Sequence, residues 1–275
     1  IRVSLTEDAV HEVPVARALA EMFEIRGCGV PPQAVPSASR RPDLQADAES
    51  CAPAWESLSK RASSYLPHWE VEGGVYAITF RLADALPQSV LDEFRRGREV
   101  LLRRLELLEN EAGSRDCGAD LKKVRAELSE LYEALIEPEL HKVRGECWLR
   151  NAEVAGLVQT ALFHFDGERY ELRAWCVMPN HVHVLIKPLA GESLSGILHS
   201  WKSYTAKEAN KILGRSGEFW QKEYYDHLVR DVEDYRNQVR YILQNPEGMG
   251  GYEWVDSIYG KSWEVVLEGE VATAG

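Results

Sequence analysis

The chain has 275 residues, of which 45% are hydrophobic and 28% charged, and its net charge is −12. That is enough chain for one large domain or two small ones with ample core, and no window approaches the roughly 18 consecutive apolar residues of a membrane span. The acidity counts against a surface that binds phosphate everywhere, but it is uneven: residues 181–230 hold seven Lys/Arg against five Asp/Glu, and the excess acid lies in residues 1–140.

The five cysteines, Cys28, Cys51, Cys117, Cys147 and Cys176, are odd in number and form no CxxC pair. A zinc ribbon or a disulfide framework is therefore not expected. The opening "IRVSLTEDAVHEV" has neither the basic nor the long apolar region of a secretion signal, so the sequence reads as cytoplasmic.

In chain order, residues 1–63 read as a disordered or loosely docked extension. "GVPPQAVPSASRRPDLQADAES" is rich in Pro, Ala and Ser and cannot bury enough surface to offset its ordering entropy; one helix is expected near Val13–Ile25. A single domain then runs from 64 to about 260, with a tail at 261–275. "GGVYAITFRL" (Gly73–Leu82) is a β-branched and aromatic run that predicts a strand. Leucines at helical spacing predict helices over Gln88–Asn110 and Ala119–Leu140, broken by "NEAGSRDCGAD". The pair is an αα-hairpin insertion, at about 88–140, projecting from the main body.

"NAEVAGLVQTALFHF" predicts a helix capped by Asn151. "ERYELRAWCVM" alternates Tyr170, Leu172, Ala174, Cys176 and Met178 against Glu171, Arg173, Trp175 and Val177, the period of a strand. Pro179-Asn180 turns into a second strand, "HVHVLIKP", so the two are expected to be hairpin neighbours. A helix over "SLSGILHSWKSYTAKEANKIL" follows, closed by Gly214, then an extended stretch "FWQKEYYDHLVR". The last helix runs from Asp231, its N-cap, to Asn245, where Pro246 stops it. This order implies an α+β fold, an antiparallel sheet with helices packed mostly on one face.

Along "HVHVL", His181 and His183 share one strand face and Val182, Val184 and Ile186 the other. The valine face belongs in a core. Two adjacent imidazoles fill an apolar layer poorly, yet they can chelate a divalent metal; half-exposed sheet histidines are the competing reading. On the last helix Val232, Tyr235, Val239 and Ile242 form a core stripe, while Tyr241 falls off it with Asn245 at i+4 on the same side. A phenol and an amide that project together beside an HxH strand suggest a nucleophile next to a metal ligand. Tyr204, with Glu208 at i+4, is an alternative nucleophile of the same form. Lys202, Lys207, Lys211 and Arg215 read as either a solvated helix face or a phosphate-contacting strip. Trp220 and neighbouring aromatics read as either core or base-stacking platforms. Asp226 and His227 are candidates for supporting the site, and His141 and Cys147 look too isolated to take part.

"HVHVL" resembles the His-hydrophobic-His motif of the HUH endonucleases. Together with "LPHWEVEGGVYAITFRLADALP", "WKSYTAKEAN", "GEFWQKEYYDHLVRD" and "YRNQVRYILQNP", it makes the stretch from Leu66 to Gly250 similar to the REP-associated tyrosine transposases, a single-tyrosine HUH family. After the Asn-Pro the chain departs from the family's usual hydrophobic continuation with "EGMGGYEW". The resemblance implies an RRM/ferredoxin-like sheet, with His181, His183 and Asn245 as ligands to Mg²⁺ or Mn²⁺ and Tyr241 as nucleophile. It further implies cleavage and strand transfer on single-stranded DNA at hairpin elements through a 5′-phosphotyrosine. A homodimer is compatible with it. Two other classes stay open: a DNA-hairpin-binding protein that has lost the chemistry, and an HxH metallohydrolase for which Tyr241 is dispensable.

Overall fold

The computed structural model describes residues 59–61, 68–111, 118–246 and 255–257. The expected helix at Val13–Ile25, nearly all of the proposed extension, the "EGMGGYEW" departure (its final Trp included) and the tail at 261–275 lie outside these residues. Two short strands, β1 (Ser59–Arg61) and β2 (His68–Glu70), pair antiparallel with each other. The main sheet contains β3 (Tyr76–Arg81), β4 (Tyr170–Val177), β5 (His181–Pro188), β6 (Tyr225–Leu228) and β7 (Val255–Ser257), in the order β6-β3-β5-β4-β7, all antiparallel. Between β3 and β4 run α1 (Gln88–Glu111), α2 (Gly118–Leu135), the short α3 (Glu137–Leu140) and α4 (Ala152–Phe163). Then α5 (Leu194–Ile212) joins β5 to β6, and α6 (Val232–Gln244) follows β6.

Taken as β3-α4-β4-β5-α5-β6, with the first and last strands adjacent and β5 beside β3, this is the RRM/ferredoxin-like arrangement. The local signals account for its pieces. Asn151 Oδ1 accepts from the Glu153 and Val154 amides at the start of α4, and Ser193 caps α5. Gly214, at φ +62°, follows the end of α5 in the left-handed region that glycine adopts without strain.

Both faces of the sheet are covered. Ile78 and Phe80 of β3 and Val182, Val184 and Ile186 of β5 pack with Val158 and Leu162 of α4 and Leu198 and Trp201 of α5. On the other face Ala77, Cys176 and Leu185 lie under Tyr235, Val239 and Ile242 of α6. Helices α4 and α5 are thus on one face, and α6 covers the other with the root of the insertion at its margin, because the histidine face also carries apolar residues that need a cover.

A second difference lies in β4, whose simple alternation is interrupted. The β4–β5 register shifts between Leu172 and Ala174. This bulge exchanges the faces, so Tyr170 and Leu172 join Trp175 and Val177 in one core, and Ala174, Cys176 and Met178 the other. The α1–α2 hairpin exposes Val100 and Leu107, but it is rooted in the main core through Leu91, Phe94 and Tyr132. Arg104 of α1 pairs with Glu127 of α2 at 2.9 Å.

The expected second helix of the insertion does not run to Leu140. It ends at Leu135, and Ile136 precedes the separate α3, with Pro138 in its first turn. Proline lacks the amide hydrogen that would continue α2 and crowds the residue before it.

The first turn of α6 is tied down by charge. Asp231 Oδ1 accepts from the Asp234 amide at 2.9 Å. The buried Asp234 carboxylate accepts from His227 Nε2 at 2.9 Å and from the Arg230 amide and Nε at 3.0 and 2.9 Å. Burial alone would raise this carboxyl, but the hydrogen bonds from His227 and Arg230 outweigh it and hold it below the usual carboxylate range. Asp234→Ala strands those donors and is expected to cost roughly 3 kcal/mol, measured by urea unfolding at pH 7. A carboxyl depressed by folding stabilises above its unfolded value, near pH 4, and loses that contribution as the pH falls further, so the gap between variant and wild type narrows below about pH 4.

Candidate active site and metal centre

Because directly opposed residues of an antiparallel pair share a face, the register Arg81↔His181 and Thr79↔His183 puts four polar side chains together on the α6 side of the sheet. Both imidazoles are buried, at 0% and 2% exposure, which excludes the half-exposed reading. Burial holds both below their ordinary value, with neighbouring positive charge adding to it, and takes His183 to about 3.

Each ring spends its Nδ1 outward. His181 Nδ1 lies 2.7 Å from Asn180 Oδ1, and that amide is oriented by Nδ2 donating to the Arg144 carbonyl at 3.2 Å. His183 Nδ1 lies 2.8 Å from Thr79 Oγ1. The two Nε2 atoms then face one another at 2.9 Å. His181 donates through Nδ1, so its Nε2 is a bare lone pair.

The end of α6 supplies the remaining groups. Asn245, its C-cap, brings Nδ2 to 3.3 Å from His183 Nε2, and its Oδ1 is buried without a hydrogen-bond partner. A half-turn of the amide would exchange the two and direct the oxygen at the imidazole pair. Two convergent imidazole nitrogens and one orphaned amide oxygen form a donor set that fits a divalent cation. Among the described residues no cluster of three His, Cys, Asp or Glu forms a site; the third donor here is an amide.

One turn before Asn245, the Tyr241 ring meets the His183 ring edge-on at 5.2 Å between centroids. Its hydroxyl donates to Glu137 Oε2 at 2.5 Å. Burial, with the Glu137 carboxylate alongside, pushes the Tyr241 phenol far above its ordinary value, and burial also raises Glu137. The structure therefore brings together His181, His183, Tyr241 and Asn245.

Other expectations fare differently. Tyr204 is 44% exposed on α5, which packs on the valine face, and Glu208 pairs there with Lys211; this alternative nucleophile does not approach the histidines. Lys202 is turned inward, its Nζ donating to the Gln221 and Lys222 carbonyls at 2.6 and 2.7 Å, and burial lowers it to about 8. Arg215 lies over the Trp148 ring and bonds Asn210 Oδ1. Trp220 is 6% exposed, with its indole N–H on Thr205 Oγ1. Each of these three makes internal ties, because their apolar stems and rings pack as readily as their polar ends reach. Lys207 and Lys211 remain on the surface. His227 holds the opposite end of α6 from Tyr241.

Thr79, Asn180 and Glu137 were missed. Asn180 adjoins the HxH motif, but Thr79 and Glu137 are 104 residues from their partners, and only the strand register and the Pro138 break bring them in. His141, set aside as isolated, has Nε2 3.9 Å from Glu137 Oε2.

The sheet, α6 and the polar cluster between them define an antiparallel α+β domain built around an HxH pair. Residues 156–245, from α4 to Asn245, match the family model described as "Transposase IS200 like". The chain is also similar to REP-associated tyrosine transposases. The REP-associated tyrosine transposase of Escherichia coli K12 is 30% identical over 90 residues, 32% of this chain and 50% of that protein. A putative REP-associated tyrosine transposase of Haemophilus influenzae is 27% identical over 96 residues, 31% of this chain and 54% of that protein. The chain thus spans about half the length of the curated relatives it matches. A solved REP-associated tyrosine transposase bound to a REP hairpin aligns over 70% of this chain and 74% of that one, at 18% identity and a TM-score of 0.34. No helix among the described residues is long and apolar enough to cross a membrane.

The inward role of Lys202 is testable apart from any ligand. Lys202→Ala is expected to lower stability by about 2 kcal/mol, whereas Lys207→Ala stays within about 0.5 kcal/mol of wild type, both by chemical denaturation.

Proposed function

We propose that the protein is a transposase that cuts and rejoins single-stranded DNA at repetitive hairpin elements, with Tyr241 as nucleophile and His181, His183 and Asn245 as ligands to Mg²⁺ or Mn²⁺. The observation that carries this reading is the meeting of α6 with β5: Asn245 lies 3.3 Å from His183, and Tyr241, one turn earlier, is against the same ring. The names of the curated relatives support the choice of DNA element.

A divalent cation at this donor set would polarise the scissile phosphate and offset the charge that develops there. Tyr241 Oη attacks phosphorus, forms the 5′-phosphotyrosine bond and releases the 3′-oxygen. Attack by another 3′-hydroxyl on that bond rejoins strands and frees Tyr241. Thr79 and Asn180 keep the imidazoles turned so that both Nε2 atoms point inward. The in-line approach requires an unpaired strand at Tyr241, and the exposed Lys207, on the other face of the sheet, is offered to DNA beyond the cleavage point.

Incubation with labelled single-stranded hairpin oligonucleotides and Mn²⁺ is expected to give a protein–DNA adduct on a denaturing gel. Tyr241→Phe, His183→Ala and EDTA should each abolish it, and Tyr204→Phe should not. A native-gel shift with no adduct under either metal would replace this reading with a binding-only protein. Thr79→Val, which removes the hydroxyl beside His183 Nδ1, should weaken Mn²⁺ binding roughly 10- to 100-fold by calorimetry.

A further inference from the structure

We propose that Glu137, delivered by the helical insertion, is a catalytic residue that orients the Tyr241 hydroxyl and takes its proton as the phenol oxygen attacks phosphorus. The inference rests on the reading of Tyr241 as the nucleophile. Glu137 lies outside residues 156–245, the segment matched by the transposase model.

Geometry is the first support. The hydroxyl donates to Glu137 Oε2 at 2.5 Å, a direct contact at the short edge of the roughly 2.6–3.2 Å reach of a general base. A hydroxyl that donates to one acceptor has its lone pairs turned away from that acceptor, here toward Asn245 at the proposed metal site. The setting is the second. The carboxylate is the acceptor that the phenolic hydrogen already points at, so the proton has a direct path as the bond to phosphorus forms.

The third support is rigidity. Tyr132 and Ile136 before Glu137, and Leu140 after it, are fully buried in the main core. Pro138 separates α2 from α3 between these anchors. Glu137 is therefore fixed from both sides, 17% exposed, with His141 on the outer side of the same carboxylate oxygen. A catalytic group needs its supporting shell locked in this way.

The step balances. In cleavage the O–H bond of Tyr241 breaks and its proton passes to Glu137, while Oη bonds to phosphorus and the P–O3′ bond breaks. The leaving 3′-oxygen departs on the opposite side of phosphorus and takes a proton from water. In rejoining, an incoming 3′-hydroxyl gives its proton to water, and Tyr241 Oη recovers its own from Glu137.

The test is single-turnover adduct formation on a hairpin oligonucleotide with Mn²⁺, with DNA affinity measured alongside. Glu137→Gln is expected to slow adduct formation roughly 10²- to 10⁴-fold at unchanged DNA affinity. Glu137→Ala should be equally slow, and its rate should rise with added formate, a small carboxylate that can enter the space left. An adduct rate for Glu137→Gln within threefold of wild type overturns the proposal. So does a slow Glu137→Ala that formate leaves slow, since that is a structural role. Wild type and Tyr241→Phe are run beside them: an adduct in Tyr241→Phe, or none in wild type, overturns the reading of the site itself and Glu137 with it.

Discussion

Two imidazoles taken out of water in the middle of a sheet must each find partners, since a buried polar atom left without one costs about 1–3 kcal/mol. Those partners come from all around the fold. Thr79 requires β3 to pair with β5 in one register, because a shift of one residue would send its hydroxyl to the valine face. Asn180 can accept from His181 only because its own amide is held by carbonyls at the exit of the insertion, those of Leu140 and Arg144. The inner nitrogens are left facing each other, and α6 closes over them. An apolar cover alone would offer those nitrogens nothing beyond each other, and the end of that helix brings polar groups to them instead.

The helix is held firmly by everything except its working end. Tyr235, Val239 and Ile242 are buried, each contributing on the order of 2 kcal/mol. The Asp231 and Asp234 contacts fix the first turn to the loop after β6. With start and stripe both fixed, the last turn has one direction available, and Tyr241 and Asn245 project from it toward His183. The insertion meets them from the other side. Its Tyr132 stacks on Tyr225 of β6 at 3.7 Å, which brings the root of the hairpin against the edge strand and Glu137 to the phenol. The long α1–α2 pair is thus part of the wall of the site, as well as an arm that extends from it.

Elements whose signals are local could be read from the sequence. The caps at Asn151 and Asp231 mark helix starts, β-branched alternation marks β5, and the i+4 relation places Tyr241 and Asn245 on one side of α6. The β4 alternation was equally visible and still misled, because a bulge costs one residue in a register that composition does not record. The inward turn of Lys202, Arg215 and Trp220 was hidden for another reason. A lysine on a polar helix face and a lysine that ties two carbonyls have the same sequence pattern, and the tertiary position of residues 217–222 decides between them. β7, only three residues at the sheet edge, pairs with β4 through backbone atoms and leaves almost no pattern of its own.

The same division runs through the site. His181 with His183, and Tyr241 with Asn245, were each visible because the members of each pair share one element, where periodicity fixes their faces. What those pairs lean on comes from other elements, and neither Thr79 nor Glu137 is unusual where it stands. The one clue to Glu137 was Pro138, inside a run of leucine spacing that otherwise continues to Leu140. A proline there is a poor choice for a helix meant only to extend an arm, since it forfeits a backbone hydrogen bond and forces a break. The break is what separates Glu137 from the line of α2 and sets it in a new first turn, against the hydroxyl of Tyr241. The departure from helical pattern at that point is the place where the insertion stops being an appendage and becomes part of the site.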